Sequence, residues 1–220
     1  MILEIPDFLS ASEVSQLQQI ATQSTFVNGR ITNPHNQTKN NEQIDRAAPG
    51  FQQSSQLMIN AFVRNEKFNN FAMPNRLAPP LLCKYEKGMA YGAHSDVALL
   101  RLQQPPVLRS DISATIFLND PGTYDGGELV LHLEDRKVPI KLAAGGLVAY
   151  PSTTLHEVAE ITSGQRLVAI TFIQSQIIDE RQRHMIYMLG EISALEGLNM
   201  KAENRNRLDL VRHNLTRMWS

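Results

Sequence analysis

From Pro79 onward the chain repeats one rhythm, and that rhythm limits its fold more than any other feature. Short runs rich in Val, Ile, Leu and aromatic residues ("LLCKYEKG", "ISATIFLND", "GELVLHL", "KVPIKL", "GGLVAYPS", "LHEVAEI", "QRLVAITFIQSQ") alternate with turn signals ("NDPGTYDGG", "EDR", "AAGG", "STT", "TSGQ"). Branched and aromatic side chains suit a pleated, half-buried surface, and Gly, Pro and Asp supply the turns between such runs. Roughly seven or eight short strands at this even spacing imply a sandwich or a jelly-roll barrel.

Helices flank this block. Ser10 followed by Glu13 predicts a capping box, with Leu9 as the staple residue before it. Val14, Leu17, Ile20 and Ala21 then keep helical spacing. The segment Asn28–Asp45, "NGRITNPHNQTKNNEQID", is polar and reads as a long loop or a lid. A second helix is expected around Phe51–Arg64. After Ile177, "DERQRHMIYMLGEISALEGL" and "NRNRLDLVRHNLTRMW" are amphipathic helices. Their apolar stripes fit packing on the core or a homo-oligomer contact, and the pattern does not choose between them. The expected class is α+β with a mainly β core. Its parts are an N-terminal helical support region (1–75), a jelly-roll core (76–177) and a C-terminal helical extension (178–220).

Composition excludes several classes. Lys plus Arg number 21 and Asp plus Glu 22, so the formal net charge is −1. A nucleic-acid or anionic-membrane partner would favour a basic excess. Cys83 is the only cysteine, so an intrachain disulfide is ruled out. It reads as a small buried hydrophobe in a strand, in keeping with a reducing compartment. "MILEIPDFLS" lacks a basic n-region. The longest apolar run, Leu142–Tyr150, is far short of the ~20 residues a membrane helix needs. The expectation is a soluble, cytoplasmic protein that binds neither nucleic acid nor membrane.

The candidate chemistry starts at "YGAHSDVALL". His94 and Asp96 are an i, i+2 pair, so on an extended segment both side chains point to one face. His156 enters a strand after a tight turn in "YPSTTLHEVAEI". Two histidines and a carboxylate form the facial triad of non-haem Fe(II) oxygenases, which leaves positions open for other ligands. On spacing alone, separate structural roles remain an alternative. His35, His184 and His213 read as surface or packing residues, and His132, on the strand face opposite Leu131 and Leu133, as exposed. Arg166 strengthens the triad reading, because an arginine entering an interior strand needs an anionic partner. Its planar fork suits a carboxylate. A strand-end arginine bonded to a protein carboxylate or to water is one reading; the other is a ligand with a carboxylate at one end and a chelating group at the other, and 2-oxoglutarate is such a ligand.

"KYEKGMAYGAHSD", "YDGGELVL" and "VAYPSTTLHEVAEITSGQRLVAITFIQSQ" resemble the Fe(II)/2-oxoglutarate-dependent dioxygenase superfamily. More narrowly, they are similar to the PKHD-type hydroxylases, relatives of the prolyl 4-hydroxylase catalytic domain. The resemblance is strong from about Arg76 to Gln176 and continues in "QSQIIDERQRHMIYML" and "LVRHNLTRMW". It implies a double-stranded β-helix and one Fe(II) per subunit held by His94, Asp96 and His156. It also implies that Arg166 and the Tyr85 hydroxyl bind 2-oxoglutarate, and that Gly126-Gly127-Glu128 forms a structural turn. The implied reaction couples decarboxylation of 2-oxoglutarate, giving succinate and CO₂, to hydroxylation of a small-molecule or peptidyl substrate by O₂. L-Ascorbate as reductant and a link to iron homeostasis are further expectations of the resemblance. Two departures stand out. Phe172 replaces a common tryptophan, and Ser95 and Val97 depart from the commoner "HVDNA" wording, which bears on the substrate entrance. Two other readings are a non-catalytic iron-responsive binding protein with a dioxygenase-like core and a cupin-like zinc or nickel enzyme. The complete motif set argues against the first, and the second has no need of Arg166.

Overall fold

The capping box expected at Ser10 is formed in the computed structural model of the chain, which describes residues 1–101 and 107–220. The Ser10 hydroxyl accepts from the Glu13 amide, and the Glu13 carboxylate accepts from the Ser10 amide at 2.9 Å. After strand β1 (Leu3–Ile5), this box starts helix α1 (Ala11–Gln23), which buries Val14 and Leu17. Then come β2 (Phe26–Asn28), a 3-10 turn (Gly29–Thr32), β3 (Lys39–Asn40) and β4 (Glu42–Ile44). Helix α2 (Pro49–Arg64) matches the second expected helix. The short α3 (Glu66–Ala72), which the Asn-rich sequence hid, follows it and leads into β5 (Pro74–Leu77).

Beyond these lie β6 (Leu81–Tyr85), β7 (Ala90–His94), β8 (Leu99–Leu100), β9 (Leu108–Arg109), β10 (Ile112–Phe117) and β11 (Tyr124–Gly126). They continue as β12 (Leu129–Leu133), β13 (Arg136–Ile140), β14 (Leu147–Pro151), β15 (His156–Val158), β16 (Ile161–Gly164) and β17 (Arg166–Ser175). Helices α4 (Glu180–Glu196) and α5 (Ala202–Trp219) close the chain.

The strands form two main sheets, and their pairings are antiparallel throughout. The larger runs β1-β14-β10-β17-β6-β4-β2, with β5 also on β17, and the smaller runs β13-β12-β15-β7-β3. Every residue of β10 is buried, as its place between β14 and β17 requires. Phe8, Phe62 and Phe68 form a ring cluster, with Phe62 4.7 Å from each of the other two. That cluster packs α2 and α3 into the same core. Cys83 lies buried in β6 as expected, and burial pushes its thiol up to about 11.

Two expectations need correction. The first 75 residues are not only helical, since β1, β2, β4 and β5 belong to the larger sheet. Nor is Asn28–Asp45 a free loop. Its second half is strand, with Lys39, Asn41 and Gln43 buried. β3 pairs with β7 in one sheet and β4 with β6 in the other, so this short stretch ties the two sheet edges together. Residues 102–106, within the "HSDVALLRLQQPPVLRSD" wording, lie outside the described residues. At the far end, α4 buries Arg183 and Ile186 and sets Tyr187 edge-on to Phe71 at 5.7 Å. By contrast, α5 buries none of its residues. Among the described residues no helix is long and apolar enough to cross a membrane.

Candidate active site

Sheet register brings the two histidines together. β7 ends at His94, β15 begins at His156, and the antiparallel pairing sets one directly opposite the other, their rings 4.3 Å apart. Asp96 lies two residues beyond the end of β7. One donor atom from each of His94, Asp96 and His156 falls within 4.8 Å of the other two.

The surroundings hold these groups in a ligand-ready form. His94 Nδ1 is 2.8 Å from the Gly92 carbonyl oxygen, and His156 Nδ1 is 2.9 Å from that of Thr154. A carbonyl only accepts, so each Nδ1 carries the hydrogen and Nε2 is the nitrogen left for a metal. Burial pushes His94 down to about 4, with the nearby His156 adding to the effect. The imidazole is therefore neutral, the form that ligates metals. Tyr91 stacks on the His94 ring at 3.6 Å, and Tyr150 meets the His156 ring edge-on at 5.2 Å. Asp96 Oδ2 accepts from Ser113 Oγ at 2.5 Å. Ser113 in turn shares a 2.8 Å hydrogen bond with Ser152, to which Ser110 donates at 2.8 Å. Three buried hydroxyls thus fix the carboxylate.

Arg166 opens β17, directly across from Tyr85 on β6, and only 2% of it is exposed. Its guanidinium lies 5.0 Å from the Tyr85 ring and 5.6 Å from that of Phe117. Nε has no hydrogen-bond partner. Among the described residues no carboxylate forms an ion pair with Arg166, which removes the protein-carboxylate alternative there. Burial keeps the Tyr85 phenol protonated and able to donate. Gly127 does more than turn the chain. At φ +68, a Cβ there would lie 2.3 Å from Ile161 Cδ1 and 3.0 Å from Arg166 Cδ, so this glycine makes room for the arginine.

All five expected site residues line one cavity between the sheets, together with Tyr91, Ser113, Tyr150 and Phe172. Phe172 thus keeps an aromatic wall at its position, and Ser95 and Val97 are exposed beside the ligands. Sequence reasoning missed Tyr91, Ser113 and Tyr150. A usable signal was Ser113 with Thr115 at i, i+2 inside an otherwise apolar strand, since a fully buried strand carries polar side chains only where something accepts them. His35 and His213 are exposed as expected. His132 is half-buried rather than exposed, with Nε2 3.3 Å from Glu157 Oε1. Two imidazoles and one carboxylate, with no thiolate, suit Fe(II).

Residues 80–174 match the family model of the 2OG-Fe(II) oxygenase superfamily. That defines a class of oxidoreductase that uses Fe(II), 2-oxoglutarate and O₂. A PKHD-type hydroxylase of Sphingopyxis alaskensis is 46% identical over 218 residues, covering 99% of each chain. One from Shewanella sp. strain MR-4 is 38% identical over 223 residues, covering 100% of this chain and 99% of the relative. The chain belongs to the PKHD-type hydroxylases within that superfamily. Among solved structures, a Pseudomonas putida prolyl-4-hydroxylase aligns with TM-score 0.55 at 20% identity, over 79% of this chain and 92% of its own. A Trichoplax adhaerens prolyl hydroxylase in complex with a hypoxia-inducible-factor peptide aligns with TM-score 0.56 at 18% identity, over 84% and 86%. Both likenesses concern the fold.

Proposed function

We propose that His94, Asp96 and His156 hold one Fe(II) and that Arg166 and Tyr85 bind the distal carboxylate of 2-oxoglutarate in a hydroxylase that acts on a C–H bond. The observation that carries this reading is the shared cavity. Its lining includes both the three-donor cluster and a buried guanidinium that pairs with no carboxylate among the described residues. A dianion with a chelating end spans those two features. Bound together, the ion and 2-oxoglutarate supply O₂-dependent decarboxylation to succinate and CO₂, coupled to hydroxylation of the substrate.

The protein's own part is positional. Gly92 and Thr154 carbonyls fix the imidazole tautomers, and Ser113 orients the Asp96 carboxylate. Arg166 and the Tyr85 hydroxyl orient the cosubstrate. Leu129, Val158 and Ile170 line the cavity with hydrocarbon, which excludes water and strengthens these polar contacts. We read the two facing sheets as a double-stranded β-helix spanning 76–177. In this reading 1–75 supports the core through the strands it lends to the sheets, and 178–220 is a helical extension whose exposed apolar residues suit a homo-oligomer contact. A peptidyl or small-molecule substrate is in keeping with the peptide-bound prolyl hydroxylase among the solved structures of this fold. Ascorbate as reductant, a role in iron homeostasis and a cytoplasmic location belong to the same proposal.

The test is O₂-dependent succinate formation from 2-oxoglutarate with Fe(II). The wild type should form succinate, and Asp96→Ala and His156→Ala should lose it together with iron binding. Arg166→Ala should keep iron and weaken 2-oxoglutarate, and unchanged cosubstrate affinity in that variant would remove Arg166 from the site.

A further inference from the structure

Arg166 has a neighbour that is not part of the cavity wall. Tyr124, on β11, is 3% exposed and does not line the cavity. It is held firmly in place. Lys141 Nζ lies 4.0 Å from its ring centroid and donates to its carbonyl oxygen at 2.8 Å. Tyr124 pairs with Gly164 of β16, where an added Cβ would lie 2.9 Å from Tyr124 Cβ. Gly127 then lets the ring and the arginine meet. The position a Cβ would take on that glycine is 3.0 Å from Arg166 Cδ and 3.2 Å from Tyr124 Cε2. Cδ carries Nε, and Cε2 adjoins the ring carbon that bears the hydroxyl. Those two polar atoms, Arg166 Nε and the Tyr124 hydroxyl oxygen, are both sealed from solvent and both without a hydrogen-bond partner. Burial raises the Tyr124 phenol, and the charge of Arg166 acts against that rise, as it would on a close neighbour.

Buried polar groups without partners are few in folded proteins, and each calls for an explanation. A guanidinium offers five N–H groups in a planar fork. Of the three nitrogens of Arg166, Nε alone is both sealed and unmatched. A carboxylate in the cavity therefore meets the terminal nitrogens end-on, and the Nε hydrogen needs an acceptor from the protein. The Tyr124 oxygen, which can accept, is the unmatched atom beside it. Building on the role given to Arg166 above, we propose that Tyr124 is a positioning residue for that arginine. Its hydroxyl takes the Nε hydrogen when 2-oxoglutarate seats, which fixes the plane of the fork against the distal carboxylate. Tyr124 touches neither the ion nor the cosubstrate and acts through Arg166 alone. It thereby sharpens the preference of the site for a keto acid with a second carboxylate.

Tyr124→Phe removes the hydroxyl and keeps the ring. Calorimetry on Mn(II)-loaded protein, which avoids turnover, compares 2-oxoglutarate with 2-oxopentanoate, in which a methyl group replaces the distal carboxylate. Tyr124→Phe should bind 2-oxoglutarate about tenfold more weakly than the wild type. It should bind 2-oxopentanoate and Mn(II) as the wild type does. In an Arg166→Met background the same change should cost 2-oxoglutarate nothing further, since a residue that acts through another has no effect once that other is gone. The ligand-free thermal midpoint of Tyr124→Phe should be unchanged or higher, because an unmatched buried hydroxyl is removed. Wild-type affinity for 2-oxoglutarate in Tyr124→Phe overturns the proposal. An equal loss for both keto acids also overturns it, by making Tyr124 a packing residue. So does an undiminished loss in the Arg166→Met background, which means an independent contact. If the wild type does not bind 2-oxoglutarate, or if Arg166→Met binds it as tightly, the role of Arg166 itself fails and that of Tyr124 falls with it.

Discussion

Ser113→Ala tests how Asp96 is held. The Ser113 hydroxyl donates to Asp96 Oδ2 at 2.5 Å, and Ser113 is 3% exposed, so water cannot replace the donor. A hydrogen bond to a charged group is worth about 1.5–3 kcal/mol, and each 1.4 kcal/mol is a factor of ten in an equilibrium constant. The expected loss in metal affinity is therefore about tenfold to a hundredfold, the usual range for groups that orient a ligand. Ser152 keeps its bond to Ser110 in the variant, so the fold should change little. The assay is titration with Mn(II) or Fe(II) under anaerobic conditions, alongside a thermal midpoint. Ser113→Thr, which keeps the hydroxyl, should stay near wild type. An unchanged metal affinity in Ser113→Ala, with a lowered midpoint, would refute the argument by making the serine a packing residue only.

Three further outcomes follow from the same geometry. Gly127→Ala places a Cβ against Ile161 and Arg166 at a positive φ, a backbone conformation that costs about 1–2 kcal/mol for a residue with a side chain. Its midpoint should drop by about 2–4 °C for each kcal/mol lost, and its 2-oxoglutarate affinity should fall with the displaced arginine. In the ion-free protein His94 is depressed to about 4 from an ordinary 6.5, so between those values the unfolded chain binds the extra proton. Stability is then fully present above 6.5 and declines as pH falls toward 4, and His94→Gln should flatten that decline in melts run from neutral to acidic pH. Arg166→Lys should bind 2-oxoglutarate more weakly than wild type in the same calorimetric titration, because a point charge replaces a bidentate fork.

The sequence revealed the parts of this molecule whose hydrophobic pattern and secondary structure agree. The run from β6 to β17 alternates or buries its apolar residues as strands do, and α1 carries its own capping box. His94, Asp96, His156 and Arg166 could be singled out because each is a residue type that is costly to place inside a core, whereas Tyr85, an ordinary strand aromatic, was singled out only by the resemblance of the surrounding motif. The stretch Lys39–Ile44 was read as loop for the opposite reason. Its buried positions hold Lys39, Asn41 and Gln43, so the usual apolar-in alternation is reversed and the strand signal is lost; Lys39 and Gln43 meet the Thr32 hydroxyl instead of an apolar neighbour. β1 has only three residues, and its strand character comes from pairing with β14, a contact that no local signal encodes. Ser113 and Tyr150 were missed because their role depends on which strand lies opposite.

The central claim is that the three donors and Arg166 form one site for Fe(II) and 2-oxoglutarate. The most direct measurement is an anaerobic titration of the Fe(II)-loaded protein with 2-oxoglutarate, followed by visible absorption. A charge-transfer band should appear that saturates at one equivalent per chain, is lost in His156→Ala, and needs more cosubstrate in Arg166→Ala. A wild-type protein that takes up iron and shows no band at any 2-oxoglutarate concentration would contradict it.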